Sequence, residues 1–199
     1  MKSATRSPAV ILITGPSGAG KSTLAEKLLA RKKITLRRFV THTTRSRRTG
    51  ERHGRDYWFV ERNAFERDLK KNFFFEHASV YGNLYGSSKK EMTRLLAGKK
   101  QVLVIIDVQG AKTIKKLQPD SFILFIDAPQ DALVRRISTR SMDPKELQRR
   151  IAKMTAEEKL RDLADVVLVN EDGKLATTVR RAESAIKRFL ATRAALARA

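Results

Sequence analysis

The densest chemistry in the chain is one loop, Gly15-Pro16-Ser17-Gly18-Ala19-Gly20-Lys21-Ser22-Thr23. Gly15, Gly20, Lys21 and Ser22 satisfy the spacing G-x-x-x-x-G-K-[ST], in which glycines let successive backbone N–H groups turn toward one phosphate. A helix must follow, and its N-terminus adds partial positive charge at the same point. Lys21 then reaches the outer phosphates of a bound triphosphate, and the Ser22 hydroxyl joins the shell of a magnesium ion. The apolar run Val10–Ile13 supplies the buried strand this geometry needs in front of the loop.

Three further sets of residues carry charge or hydroxyls where chemistry needs them. Arg45 and Arg48 stand a short step apart, with Tyr57 and Tyr85 downstream. Two planar guanidinium forks and directed phenol donors suit a phosphomonoester dianion, although such a run taken alone also reads as a solvated basic turn. Asp107 ends the apolar run Val102–Ile106, at the carboxyl edge where open α/β sheets bind ligands. A basic helical excursion, Arg135 to about Lys153, carries Arg136, Arg140 and Arg150. His42, His53 and His77 show no metal-ligand spacing, and His77, Trp58 and Phe73–Phe75 read as packing residues.

The elements that must position these groups follow from hydropathy. Val10–Ile13, Val102–Ile106, Phe122–Ile126 and Val166–Val169 are short continuous apolar runs rich in β-branched residues, the pattern of parallel strands buried on both faces. Helical segments alternate with them at Ser22–Arg31, Lys89–Ala97, Gln109–Leu117, Ala132–Arg140, Pro144–Leu163 and Thr177–Ala197. The alternation predicts an α/β protein, a parallel sheet flanked by helices with right-handed crossovers. From about Phe39 to Ser88 the rhythm breaks into short aromatic-bearing strands around a helix near Asn63–Lys70, which predicts a small, mainly antiparallel insert.

A chain of 199 residues holds one substantial core, here 8–38, 89–134 and 154–199, with the insert at 39–88 and the excursion at 135–153. It has no cysteine, so neither disulfides nor thiolate metal sites arise. No apolar run approaches the roughly 20 residues of a membrane span, and the polar N-terminus lacks a signal-peptide core, which gives a cytoplasmic expectation. The formal net charge of +21 is spread over many clusters. That speeds encounter with nucleotides and promotes salt-sensitive RNA adhesion, but predicts no dedicated nucleic-acid partner.

The motifs occur in one order: Thr41-His42-Thr43-Thr44-Arg45-Ser46-Arg47-Arg48-Thr49-Gly50-Glu51, Gly54-Arg55-Asp56-Tyr57-Trp58-Phe59, Phe75-Glu76-His77-Ala78, Tyr81-Gly82-Asn83-Leu84-Tyr85-Gly86-Ser87, Ile106-Asp107-Val108-Gln109-Gly110 and Val169-Asn170-Glu171-Asp172. In this order and spacing the chain resembles guanylate kinases over almost its whole length. The resemblance implies magnesium-dependent phosphoryl transfer from ATP to GMP or dGMP. It implies that Arg45, Arg48, Tyr57 and Tyr85 hold the GMP phosphate, and that Glu76 accepts from guanine with Thr41 and Ser87 beside it. Asp107 would orient the GMP side or hold magnesium through water, together with Ser22. Gly15 to Thr23 would cradle ATP, Arg140 and Asn170 would flank its adenine, and Lys21, Arg45, Arg136, Arg140 and Arg150 would serve the transfer.

Two departures from the family pattern stand out. Ile105 occupies a position that is usually acidic, and Ser138-Thr139-Arg140-Ser141-Met142-Asp143 replaces a glycine-bearing lid turn. A ribose 1,5-bisphosphate phosphokinase of the same branch and a non-catalytic module on the same fold remain alternatives at this stage. The oligomeric state stays open.

Overall fold

The structure is a computed structural model that describes residues 7–138, 148 and 161–198. In chain order its elements are β1 (Val10–Thr14), α1 (Lys21–Leu29), β2 (Leu36–Arg38), β3 (His42–Thr43), β4 (Trp58–Phe59), α2 (Arg62–Lys70), β5 (Phe74–Val80) and β6 (Asn83–Ser88). There follow α3 (Lys89–Leu96), β7 (Gln101–Ile105), α4 (Val108–Leu117), β8 (Phe122–Asp127), α5 (Gln130–Ser138), β9 (Val166–Val169) and a long final helix, α6 (Leu175–Leu196).

Five strands in the order β2-β7-β1-β8-β9 form a sheet that is parallel throughout. Every residue of β1 is buried, and the strand period of two sorts its side chains onto the two faces. Ile11 and Ile13 pack with Leu24, Leu28, Leu124 and Ile186 under α1 and α6. Val10 and Leu12 pack with Met92, Val104 and Ile114 on the face covered by α3 and α4. Because β1 is central, the loop that leaves it opens at the carboxyl edge between β7 and β8, where chain connections diverge to either side.

A second sheet, β4-β3-β6-β5, stands beside the first. Its β3–β6 and β5–β6 pairs are antiparallel and its β3–β4 pair is parallel. Phe65 of α2 stacks on Phe74 with ring centroids 4.5 Å apart and forms the centre of this unit. Ring packing and an ion pair tie it to the main sheet. Phe39 packs edge-on against Phe75 at 6.3 Å, and Arg38 of β2 donates to the Asp56 carbonyl at 3.0 Å and faces its carboxylate.

Several expectations change. β2 reads Leu-Arg-Arg and carries no apolar run, since a three-residue edge strand is exposed along one side. Phe39, placed by sequence at the start of the insert, is buried in the main core. Trp58 is not core: it lies 37% exposed on edge strand β4, with its ring against His53. His77 is exposed, because the alternation that turns Glu76 inward turns its neighbour out. Of the helix expected over Pro144–Leu163, the described residues are Gln148, which is helical, and the 3₁₀ turn Arg161–Leu163.

Candidate active site

The phosphate loop runs from the end of β1 into α1. Gly15 has φ of 129°, and a Cβ there would lie 2.0 Å from the Ile126 carbonyl oxygen on β8, so only glycine lets the loop turn so close to the sheet. Gly20 caps α1 in the left-handed region, and the first turn of that helix holds no acidic residue to neutralise its dipole. The Lys21 ammonium donates to the carbonyls of Gly15 at 2.6 Å and Pro16 at 2.8 Å, which folds it back over the loop it serves. Ser17, Gly18, Ser22 and Thr23 face the cleft, whereas Pro16 and Ala19 are buried behind it.

Across the same cleft lie Arg45, Arg48, Tyr57 and Tyr85. Arg45 is 9% exposed and its guanidinium lies 5.4 Å from the Tyr57 ring centroid and 5.7 Å from that of Phe59. The Tyr57 and Tyr85 rings meet at 6.0 Å. Burial, reinforced by Tyr85, pushes the Tyr57 phenol up to about 12, so it remains a proton-bearing donor at any physiological pH. Cationic forks and phenol donors converge on one face of the opening.

Glu76, 4% exposed on β5, lines the same cleft. Burial pushes its carboxyl up to about 7; the neighbouring Ser87 hydroxyl opposes that shift and the charge of Asp107 adds to it. Thr41 lines the pocket too, and its buried hydroxyl finds no hydrogen-bond partner among the described residues. A buried hydroxyl without an acceptor costs free energy unless a ligand supplies one. Ser87 lies opposite Glu76 on β6, is fully buried outside the residues lining the cleft, and its hydroxyl likewise finds no hydrogen-bond partner among the described residues. Asp107 lines the cleft, but one carboxylate oxygen caps α4, accepting from the N–H groups of Gln109 at 2.8 Å and Gly110 at 3.1 Å. Ile105 forms an apolar wall beside it.

Other expected site residues lie elsewhere. Asn170 is buried behind the phosphate loop, where its side-chain amide donates to the Ala19 carbonyl at 2.9 Å. That makes it a brace of the loop, outside the residues lining the cleft. Arg136 also approaches from behind, donating to the carbonyls of Gly18 at 3.2 Å and Asn170 at 2.9 Å and pairing with Asp172 at 2.6 Å. Asp172 pairs with Arg135 as well, at 2.8 Å. Arg140 and Arg150 lie outside the described residues.

Four residues that the motifs contain gain a role only from the structure. Glu51 and Asp56 organise the Arg45 loop, Asp172 restrains Arg136, and Tyr81 lines the cleft with φ of 51° at the β5–β6 turn. The turn was signalled by Gly82, which follows with φ of 76°, and Tyr81 stands in the same motif without an assigned role.

A phosphate loop on the central strand of a parallel sheet, facing a second anion pocket carried by a small mixed sheet, defines a P-loop NTPase-type protein. The guanylate kinase family model matches residues 7–188. The guanylate kinase of Sus scrofa is 38% identical over 170 residues, covering 83% of this chain and 86% of that one. That of Thiobacillus denitrificans is 40% identical over 169 residues, covering 83% and 80%. The crystal structure of guanylate kinase from Anaplasma phagocytophilum superposes with a TM-score of 0.75 at 28% identity, over 92% of this chain and 87% of that chain. The chain belongs to the guanylate kinase family. Among the described residues no helix is long and apolar enough to cross a membrane.

Proposed function

We propose that the protein catalyses transfer of the γ-phosphoryl group of ATP to GMP or dGMP, giving ADP and GDP or dGDP. The observation that carries this reading is the pair of facing anion pockets with the buried Glu76 carboxyl at the floor of the second. The phosphate loop grips ATP through its backbone N–H groups, Lys21 and the N-terminus of α1. Arg45, Arg48, Tyr57 and Tyr85 hold the GMP phosphate, and one of its oxygens attacks the γ-phosphorus in line while the bridging oxygen leaves with ADP. Little covalent work falls to the protein, so alignment and cationic stabilisation of the transferring group dominate.

Guanine presents an N1–H and an exocyclic amine to one acceptor, and the Glu76 carboxylate has an oxygen for each. Thr41 supplies the hydroxyl that otherwise has no acceptor. Adenine would leave these buried groups unpaired, which separates substrates by factors on the order of 10⁴. The donor set for a cation, the Ser22 hydroxyl and Asp107 through water, is all oxygen and suits magnesium, which keeps most of its waters. When bound, magnesium would supply Lewis-acid chemistry, offsetting negative charge on the phosphates.

In this reading 39–88 is the GMP-binding insert, 135–153 is a lid that excludes water, and 8–38, 89–134 and 154–199 form the core. Arg136, Arg140 and Arg150 reach the phosphates on lid closure. For Arg136 that requires release from Asp172. The protein acts in the cytoplasm on small molecules, with no dedicated nucleic-acid partner. ADP release measured across GMP, dGMP, AMP and ribose 1,5-bisphosphate tests the assignment. GMP should lead AMP by at least about 10² in kcat/KM; preference for the sugar bisphosphate would overturn the guanine reading, and no turnover in folded protein would favour a non-catalytic module.

Gly110 supplies a sharper expectation. A Cβ there would meet Ile106 side-chain carbons at 2.5 Å and Glu76 Oε1 at 2.9 Å. Helical glycine is about 1 kcal/mol less favourable than alanine, so its place in α4 reflects the close approach of Ile106 and of that carboxylate. Gly110→Ala should raise the KM for GMP about ten-fold, as loss of a charged hydrogen bond does, and leave the KM for ATP unchanged. An unaltered GMP KM in steady-state kinetics would detach Glu76 from α4.

A further inference from the structure

We propose that Glu51 is a positioning residue for the acceptor phosphate, holding both arginines in their binding geometry before substrate arrives. The proposal rests on the reading above, in which Arg45 and Arg48 grip the phosphate of GMP. Both Glu51 carboxylate oxygens accept from Arg45 Nη2, at 2.8 and 3.0 Å. One of them also accepts the backbone N–H of Arg48 at 2.8 Å, while the Glu51 N–H donates to the Arg48 carbonyl at 3.1 Å. One acidic side chain therefore fixes the guanidinium of the first arginine and the backbone of the second.

The rest of Arg45 is held as tightly. Its Nη1 donates to the Ser46 carbonyl at 2.6 Å, its backbone N–H donates to Thr43 Oγ1 at 3.1 Å, and its guanidinium lies against the rings of Tyr57 and Phe59. These contacts leave the Nε–H and the second Nη1–H without an acceptor among the described residues. A phosphate entering the cleft meets a fork whose orientation is already set, so less side-chain freedom is lost on binding. Burial works against ionisation of Glu51, but the hydrogen bonds from Arg45 and from the Arg48 N–H outweigh it and hold the carboxyl below its ordinary value. It is a carboxylate throughout the working pH range.

A negative charge beside a dianion pocket opposes binding on Coulomb grounds alone. Its presence is explained if orientation outweighs repulsion, and that balance is measurable. Glu51→Ala should raise the KM for GMP at least about five-fold, a loss in the range of one charge-assisted hydrogen bond, with the KM for ATP unchanged. Inhibition by guanosine, which has no phosphate, should change less than about two-fold, because its contacts lie at Glu76 and Thr41. A smaller rise, or parallel loss of guanosine affinity, overturns the proposal, since a merely structural role would weaken both ligands together. Glu51→Gln keeps the size and one acceptor oxygen and should shift the GMP KM upward by less than Ala does. Tighter GMP binding in that variant would reduce Glu51 to a counter-charge and also overturn the proposal. Wild-type protein that fails to phosphorylate GMP would instead sink the underlying assignment.

Discussion

Replacing Lys21 by Met should lower kcat by about 10³ while GMP binding, followed by titration calorimetry, changes less than two-fold. The loss follows from where charge develops. In the transition state negative charge spreads over the transferring phosphoryl oxygens, and a pre-oriented cation in a water-poor site contributes on the order of 10² to 10³ in rate. Lys21 is held over the loop by the Gly15 and Pro16 carbonyls, which are part of the backbone that cradles the donor. Methionine keeps the length and apolar stem but has no charge to offer. The GMP pocket is built by residues of another sheet, so its affinity should survive. Turnover within ten-fold of wild type would remove Lys21 from the transfer step. Loss of GMP binding in parallel would mean the two pockets are not separable.

Where a signal was concentrated in a few consecutive residues, the fold was legible in the sequence. β1, β7 and β8 are buried on both faces and so read as continuous apolar runs, and the phosphate loop carries a spacing that few other structures need. β9 reads as such a run too, but it is an edge strand, with Val166 and Val167 half-buried and Val169 exposed. β2 was illegible because three edge-strand residues, two of them arginine, have no hydrophobic period to show. β3 and β4 are two residues each, and their pairing is set by contacts with β6 and by the Arg38–Asp56 link, which sequence distance hides.

The candidate site was legible as a set of residue types and less so as geometry. The motif frame brought forward Arg45, Arg48, Tyr57, Glu76 and Tyr85, all of which line one opening. It did not separate residues that face ligand from residues that hold those in place. Here Asn170 and Arg136 donate to the phosphate-loop carbonyls of Ala19 and Gly18, contacts that no motif announces, and Asp107 gives one oxygen to a helix cap. Glu51 and Asp56 belong to the motifs too, yet a carboxylate next to arginines reads as ordinary surface pairing until its burial is seen. Supporting residues act through distance and angle, which a one-dimensional pattern does not record.

Glu76→Gln should reduce the kcat/KM preference for GMP over AMP by at least about 10², because an amide offers one acceptor and one donor where guanine needs two acceptors. The same change should not weaken the fold, and pH decides this. Burial raises the Glu76 carboxyl from an ordinary 4.5 to about 7, so the empty folded protein holds this proton more tightly than the unfolded chain does. Its contribution to stability is full below the unfolded value and is lost as pH rises through about 7. Above that pH the wild-type protein buries a charge that glutamine lacks, so Glu76→Gln should melt at the same temperature or higher at pH 8. Guanine binding runs the other way, since only the carboxylate accepts both donors. The affinity of wild type for GMP should be flat above about pH 7 and fall towards ten-fold per unit below it, with proton release on binding near neutrality. Calorimetry in buffers of different ionisation enthalpy measures that proton directly. Equal loss of stability and selectivity in Glu76→Gln, or GMP affinity independent of pH between 5.5 and 8, would make Glu76 a structural acid and remove the basis for guanine selection.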